Sequence, residues 1–185
     1  MKITGGESKG RLLASLKGMD IRPTSSKVRE AIFNILGQDM TGIKVLDIFA
    51  GTGILGIEAL SRGAERAIFI DKSEHSIKII SKNLTLCGYQ DIGMLLKRDI
   101  IRGSALESFR TKEEIDLAFV DPPYGKGFVP PVLEMLSMGS ILAPQAIIVT
   151  ESLKTDALPE TAGNLFLSDT RIYGETKIDI YKGGH

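Results

Sequence analysis

The sequence predicts a doubly wound α/β domain, and three observations carry the prediction. From residue 44 onward, short apolar runs of strand length alternate with stretches of helical periodicity, as parallel strands joined by crossover helices require. The first run, Val45-Leu-Asp-Ile-Phe-Ala, opens into Gly51-Thr-Gly53-Ile-Leu-Gly56, a glycine-rich strand-to-helix turn. Finally, four successive strand ends carry an aspartate: Asp47, Asp71, Asp99 and Asp121. In an open sheet, ligands gather at the carboxyl ends of the strands, so all four acids are expected at one crevice.

Residues 1–24 carry turn signals at Gly5-Gly6, Gly10 and Gly18 with short extended stretches between them, which predicts a hairpin-like arm. Thr24 or Ser25 can cap the next helix, where Val28, Ala31, Ile32, Ile35 and Leu36 recur at helical spacing and Lys27, Arg29, Glu30 and Asn34 face elsewhere. Gly37 ends it. Strands are expected over 44–49 and 67–70, with a helix over 53–62 between them. Ser73 caps a helix whose Ile77, Ile80, Leu84 and Cys87 form one apolar face and which stops at Gly88. A strand over 94–97 and a short helix over 105–109 follow. The run over 115–120 is almost wholly apolar, as in a strand covered on both faces. A helix over 129–138 tolerates Pro130 and Pro131 in its first turn, and a further strand spans 146–150. The segments 165–173 and 177–181 alternate apolar and polar around Gly174-Glu175, an antiparallel hairpin signal.

The chain has 185 residues, 43% of them hydrophobic and 25% charged, enough for one domain with an extension: a basic arm over 1–24 and a main domain over 25–185. Cys87 is the only cysteine, which excludes an internal disulfide and a cysteine-cluster zinc site. His75 and His185 lie in solvated settings, so no metal site is expected. The first residues lack an apolar core of signal-peptide length, and no run approaches a membrane span; a soluble, cytoplasmic monomer is expected. The net charge of zero hides an asymmetry. Residues 1–29 hold seven Lys or Arg against two acids, and the remainder holds 16 against 21, so +5 faces −5. A basic arm on an acidic body suits a polyanionic partner.

Two stretches carry chemistry. Gly51 and Gly53 leave backbone N–H groups open to a ligand, and Asp71 lies twenty positions after Gly51, where such folds place the acid for a ribose hydroxyl. Taken singly, each aspartate could equally be a cap or turn former. In Asp121-Pro122-Pro123-Tyr124, two prolines remove two N–H donors, leaving the Asp121 carboxylate and the Pro122 carbonyl as acceptors. Those acceptors could grip a planar amino group while Tyr124 stacks on its ring.

With those two motifs the chain resembles the S-adenosylmethionine-dependent amino methyltransferases. Gly5-Gly6, Gly10-Arg11-Leu12, Arg22-Pro23-Thr24 and Val28-Arg-Glu-Ala-Ile-Phe-Asn-Ile-Leu36 resemble, more narrowly, the bacterial 16S rRNA guanine-N2 methyltransferases of the small ribosomal subunit. The resemblance implies a Rossmann-like class I methyltransferase fold. That fold is a seven-stranded, mostly parallel sheet with a C-terminal antiparallel hairpin and a small N-terminal β-hairpin and helix extension. It implies S-adenosylmethionine as cofactor, held by Asp47, Phe49, Ala50, Gly51, Gly53, Asp71, Lys72, Asp99 and Ile100. It implies a guanine at Asp121 to Tyr124, and an arm that meets rRNA through Lys9, Arg11, Lys17 and Arg22, with Arg22 and Thr24 closing the cofactor pocket. Rival readings are an N-methyltransferase for DNA adenine or a protein amide, a nicotinamide-dependent oxidoreductase, and an RNA-binding module without activity. The oxidoreductase reading leaves Asp47 and Asp-Pro-Pro-Tyr unexplained.

Overall fold

The computed structural model describes residues 1–15, 25–102 and 114–183. Lys17, Arg22, Thr24, the helix expected over 105–109 and His185 lie outside these described residues. The chain divides into two compact units, Met1–Arg98 and Asp99–His185.

In the first unit, helix α1 (Ser26–Leu36) starts at Ser25, whose hydroxyl accepts from the Val28 N–H at 3.2 Å. Then come β1 (Lys44–Ile48), α2 (Ile54–Ser61), β2 (Arg66–Asp71), α3 (Glu74–Cys87) and β3 (Gly93–Lys97). β2 pairs in parallel with β1 on one side and β3 on the other. Its Ala67, Ile68, Phe69 and Ile70 are all buried in the apolar core. Ser73 and Gly88 bound α3, the first by accepting from the Ser76 N–H at 3.3 Å, the second in a left-handed conformation. β1 stops one residue short of the expected strand because Phe49 turns to φ 62°.

The second unit holds β4 (Ile115–Val120), α4 (Val129–Met138), β5 (Leu142–Leu153), β6 (Thr161–Ala162), β7 (Leu165–Tyr173) and β8 (Thr176–Gly183). β4 and β5 are parallel; β8 joins β5 antiparallel, and β7 joins β8. The described residues form eight strands, one more than the seven expected, the addition being the two-residue β6 on β7. β5 also outruns the expected 146–150, since Glu151, Ser152 and Leu153 find ladder partners in Ile178, Lys177 and Thr176 of β8.

One expectation fails in α1. Arg29, assigned by periodicity to the polar face, is 1% exposed, whereas Ile35 is an exposed apolar residue. Arg29 is drawn inward by Glu58 of α2, itself 0% exposed, with Nε to Oε2 at 3.0 Å. The Glu58 carboxylate also meets Arg62 Nη2 at 2.8 Å, the Thr4 N–H at 3.1 and 2.9 Å, and the Thr4 hydroxyl at 2.6 Å. Arg62 in turn stacks on Phe33, 4.5 Å from the ring centre. A buried charge is tolerable only when so fully paired.

Residues 1–15 are stitched onto the first unit rather than standing free. Ile3 and Arg11 pair at 3.0 Å, and Leu13 donates to the Met1 carbonyl at 2.8 Å, forming a hairpin. The hairpin crosses the end of α2, where Ser61 Oγ donates to the Gly5 carbonyl at 2.7 Å and the Ser61 carbonyl accepts from the Glu7 N–H at 2.7 Å. A Cβ at Gly6 would lie 1.7 Å from the Ser61 carbonyl oxygen, so the close approach demands glycine there.

Candidate active site

In the first unit, the carboxyl ends of β1 and β2 frame the glycine turn. The Ala50 N–H donates to the Ile70 carbonyl at 3.0 Å and the Ala50 carbonyl accepts from the Gly53 N–H at 2.6 Å, closing a tight turn. Gly51 (φ 57°) and Gly53 (φ 76°) occupy the left-handed region, and Phe49 does so without the freedom of glycine. Strain of that kind concentrates where a chain must meet a ligand.

Asp71 braces this turn. Its Oδ2 accepts from the Gly51 N–H at 2.9 Å and its Oδ1 from the Ser73 N–H at 2.8 Å. Asp47 lies beneath, 2% exposed, with Oδ2 accepting from the Gly56 N–H at 3.0 Å. Gly56 is bare for a packing reason: a Cβ there would meet Phe69 Cε1 at 2.4 Å and Asp47 Oδ2 at 3.2 Å. Burial pushes the Asp47 carboxyl up to about 8, against the pull of the Gly56 N–H and with a further push from the Asp71 charge. At neutral pH Asp47 is therefore mostly a protonated acid, able to donate a hydrogen bond as well as accept one.

In the second unit, β4 runs into Asp121, half-buried, then Pro122, buried, and Pro123, exposed. Tyr124 ends the turn half-buried, with its hydroxyl donating to Glu151 Oε1 of β5 at 2.5 Å. Having donated its only proton, that hydroxyl accepts from Thr176 Oγ1 of β8 at 3.2 Å. Burial first, then Glu151 and the Asp121 charge, raise the Tyr124 phenol above its ordinary value. A pocket of about 240 Å³ opens here, lined by Pro122, Pro123, Tyr124, Phe128, Glu151 and Leu158 among others. It is smaller than the roughly 300–1,000 Å³ of drug-sized sites, which suits one ring system rather than a whole nucleotide.

The remaining expected residues fall as follows. Lys72 is exposed directly after Asp71. Asp99 opens the second unit as a turn former, Oδ1 accepting from the Ile101 N–H at 3.2 Å and its carbonyl from the Arg102 N–H at 3.3 Å; Ile100 is buried. Lys9 and Arg11 are exposed on the N-terminal hairpin, and the Arg11 guanidinium donates to the Leu86 carbonyl in the last turn of α3.

Sequence reasoning missed Glu151, Thr176 and Asn83. Asn83, fully buried on α3, donates through Nδ2 to the carbonyls of Thr52 (2.9 Å) and Ala14 (3.2 Å) and accepts from the Ala14 N–H at 2.8 Å. One amide thus ties the N-terminal hairpin to the glycine turn. The available signal was a polar residue one position before Leu84 on an otherwise apolar helix face. For Glu151, it was the polar Thr-Glu-Ser that ends an apolar strand.

The family model described as "Conserved hypothetical protein 95" matches residues 1–182. The chain belongs to that family. Across 183 aligned residues it is 37% identical to "Putative rRNA methyltransferase YlbH" of Bacillus subtilis, covering 98% of each chain. It is 30% identical to "Ribosomal RNA small subunit methyltransferase D" of Escherichia coli, over 98% of this chain and 89% of that one. Among solved structures, "Putative methyltransferase yhhF" from Escherichia coli superposes with a TM-score of 0.84 at 30% identity, over 100% of this chain and 98% of the other. The fold is thus the α/β fold of the methyltransferases. Among the described residues no helix is long and apolar enough to cross a membrane, and no group of three or more His, Cys, Asp or Glu could hold a metal ion.

Proposed function

We propose that the protein transfers a methyl group from S-adenosylmethionine to ribosomal RNA, and specifically to the exocyclic N2 of a guanine in 16S rRNA. The observation that carries the reading is the Asp121-Pro-Pro-Tyr124 turn at the mouth of a base-sized pocket, in a chain whose relatives are named as rRNA methyltransferases. Those relatives favour this reading over a nicotinamide oxidoreductase.

The glycine turn suits the cofactor. Gly51 and Gly53 present no side chain there, although their N–H groups are not open to a ligand as expected, being given to Asp71 Oδ2 and the Ala50 carbonyl, and a Cβ at Gly53 would crowd Ile80 at 3.0 Å. Each Asp71 oxygen takes one N–H and keeps lone-pair capacity for a ribose hydroxyl. In this assignment Asp47 to Gly53 hold the methionine part, Asp71 and Lys72 the ribose, and Asp99 and Ile100 the adenine. Lys9 and Arg11 of the N-terminal hairpin, with Lys17 and Arg22, meet RNA phosphates.

When bound, S-adenosylmethionine supplies an electrophilic methyl group on a sulfonium. The guanine N2 is a weak nucleophile because its lone pair is delocalised into the ring. The Asp121 carboxylate and Pro122 carbonyl accept its two N–H bonds, favouring a pyramidal nitrogen whose lone pair is free to attack. Tyr124 stacks on the ring, and positioning with electrostatics supplies most of the rate. The displaced proton passes to Asp121 or to water. The target base leaves its stack to enter the pocket.

Mass mapping of modified nucleosides in 16S rRNA from cells with and without the gene tests the substrate. One N2-methylguanosine should disappear in the deletion, and an unchanged map refutes the assignment. With purified protein, Asp121→Ala should cut methyl transfer about a hundredfold or more while cofactor binding persists; wild-type transfer by that variant would remove Asp121 from the chemistry.

A further inference from the structure

Building on that reading, we infer that Glu151 and Thr176 are positioning residues that fix the plane of the Tyr124 ring against which the substrate base stacks. A phenolic O–H lies in the plane of its ring because the oxygen lone pair conjugates with the π-system, so both its donor and acceptor directions are in-plane. Tyr124 makes one bond of each kind, donating to Glu151 Oε1 at 2.5 Å and accepting from Thr176 Oγ1 at 3.2 Å. One hydrogen bond would hold the tip of the side chain. Two partners also resist rotation of the ring about its long axis, and that rotation tilts a stacked base.

The clamp is built on rigid material. Glu151 (5% exposed) and Thr176 (7% exposed) belong to adjoining strands, with Glu151 opposite Ile178 and Leu153 opposite Thr176 in the β5–β8 ladder. The other end of the tyrosine is fixed by Pro122 and Pro123, whose rings lock their own backbone torsions. A stacking platform held at both ends costs little entropy when the base arrives. Glu151 lines the same pocket, and its Oε1 is engaged by the tyrosine, through which it is assigned to act.

The test compares Tyr124→Phe, Glu151→Ala, Glu151→Gln and the double variant Tyr124→Phe/Glu151→Ala. Near-ultraviolet circular dichroism reads the ring directly, since the chain has four tyrosines and no tryptophan. Glu151→Ala should lose the signal that Tyr124→Phe loses, with the far-ultraviolet spectrum unchanged, and Glu151→Gln, which keeps an acceptor, should regain most of it. In methyl transfer to 16S rRNA, Tyr124→Phe and Glu151→Ala should each lower kcat about ten- to a hundredfold with KM for RNA within about twofold, because phosphate contacts dominate RNA affinity. The double variant should be no slower than either single one, since both remove the same clamp. An unchanged dichroism spectrum in Glu151→Ala, or multiplicative losses in the double variant, would overturn the inference. If the dichroism pattern holds but the wild type methylates no RNA, the clamp stands and the proposed function fails.

Discussion

Replacing Asp47 with asparagine should flatten the pH dependence of stability in a calculable way. The carboxyl titrates near 8 in the folded chain against an ordinary value of 3.8, chiefly because it is buried. Folding between about pH 4 and 8 therefore takes up a proton. The sign follows from the raised value: the stabilising contribution is full below about 4 and is lost as pH rises through about 8. Each pH unit inside that window costs about 1.4 kcal/mol. The asparagine side chain would be neutral throughout, with its amide oxygen able to accept from the Gly56 N–H as the Asp47 Oδ2 does now. Urea denaturation of both proteins without cofactor at about pH 5, 6 and 7 and constant ionic strength isolates the effect, because every other titrating group cancels in the difference. That difference should move by about 3 kcal/mol in favour of Asp47→Asn between about pH 5 and 7. A constant difference would mean that Asp47 is already ionised, and the account of a protonated acid beneath the turn would be wrong.

Glu58→Ala should destabilise the protein by about 3–5 kcal/mol, since it strands two buried guanidinium groups; a urea midpoint showing a loss under about 1 kcal/mol would contradict the pairing described. Gly56→Ala should cost about 1–3 kcal/mol in the same assay through overpacking against Phe69, despite the better helix propensity of alanine; a gain in stability would contradict the close packing there. Lys9→Ala/Arg11→Ala should weaken RNA binding across sequences and lower the magnitude of the salt slope by about one to two units. An unchanged slope takes the hairpin out of the interface.

The alternating pattern and the two sharp turns were legible because each is a local signal. Glycine at 51, 53 and 56, proline at 122 and 123, and the caps Ser25, Ser73 and Gly88 state their conformations within a few residues. Arg29 and Glu58 were illegible for the opposite reason: they are 29 positions apart, and periodicity sends a lone arginine to the solvent face unless its partner is known. Glu151 and Thr176 follow the same logic, since they meet Tyr124 across 27 and 52 positions respectively. Asp99 shows the limit from the other side. An aspartate after a strand can form a turn as well as meet a ligand, and here one carboxylate oxygen closes a turn on Ile101, a role that residue type alone does not separate from cofactor binding.

The knot around Glu58 also bears on the order in which the chain can fold. Thr4, Gly5, Glu7 and Ser8 leave the ribosome well before their partners Glu58 and Ser61, which are synthesised more than fifty positions later. The groups that the opening hairpin turns toward α2 must therefore wait, answered only by water, until that helix has formed. Long-range closures of this kind are slow steps, so residues made early should be among the last to acquire protection from hydrogen exchange.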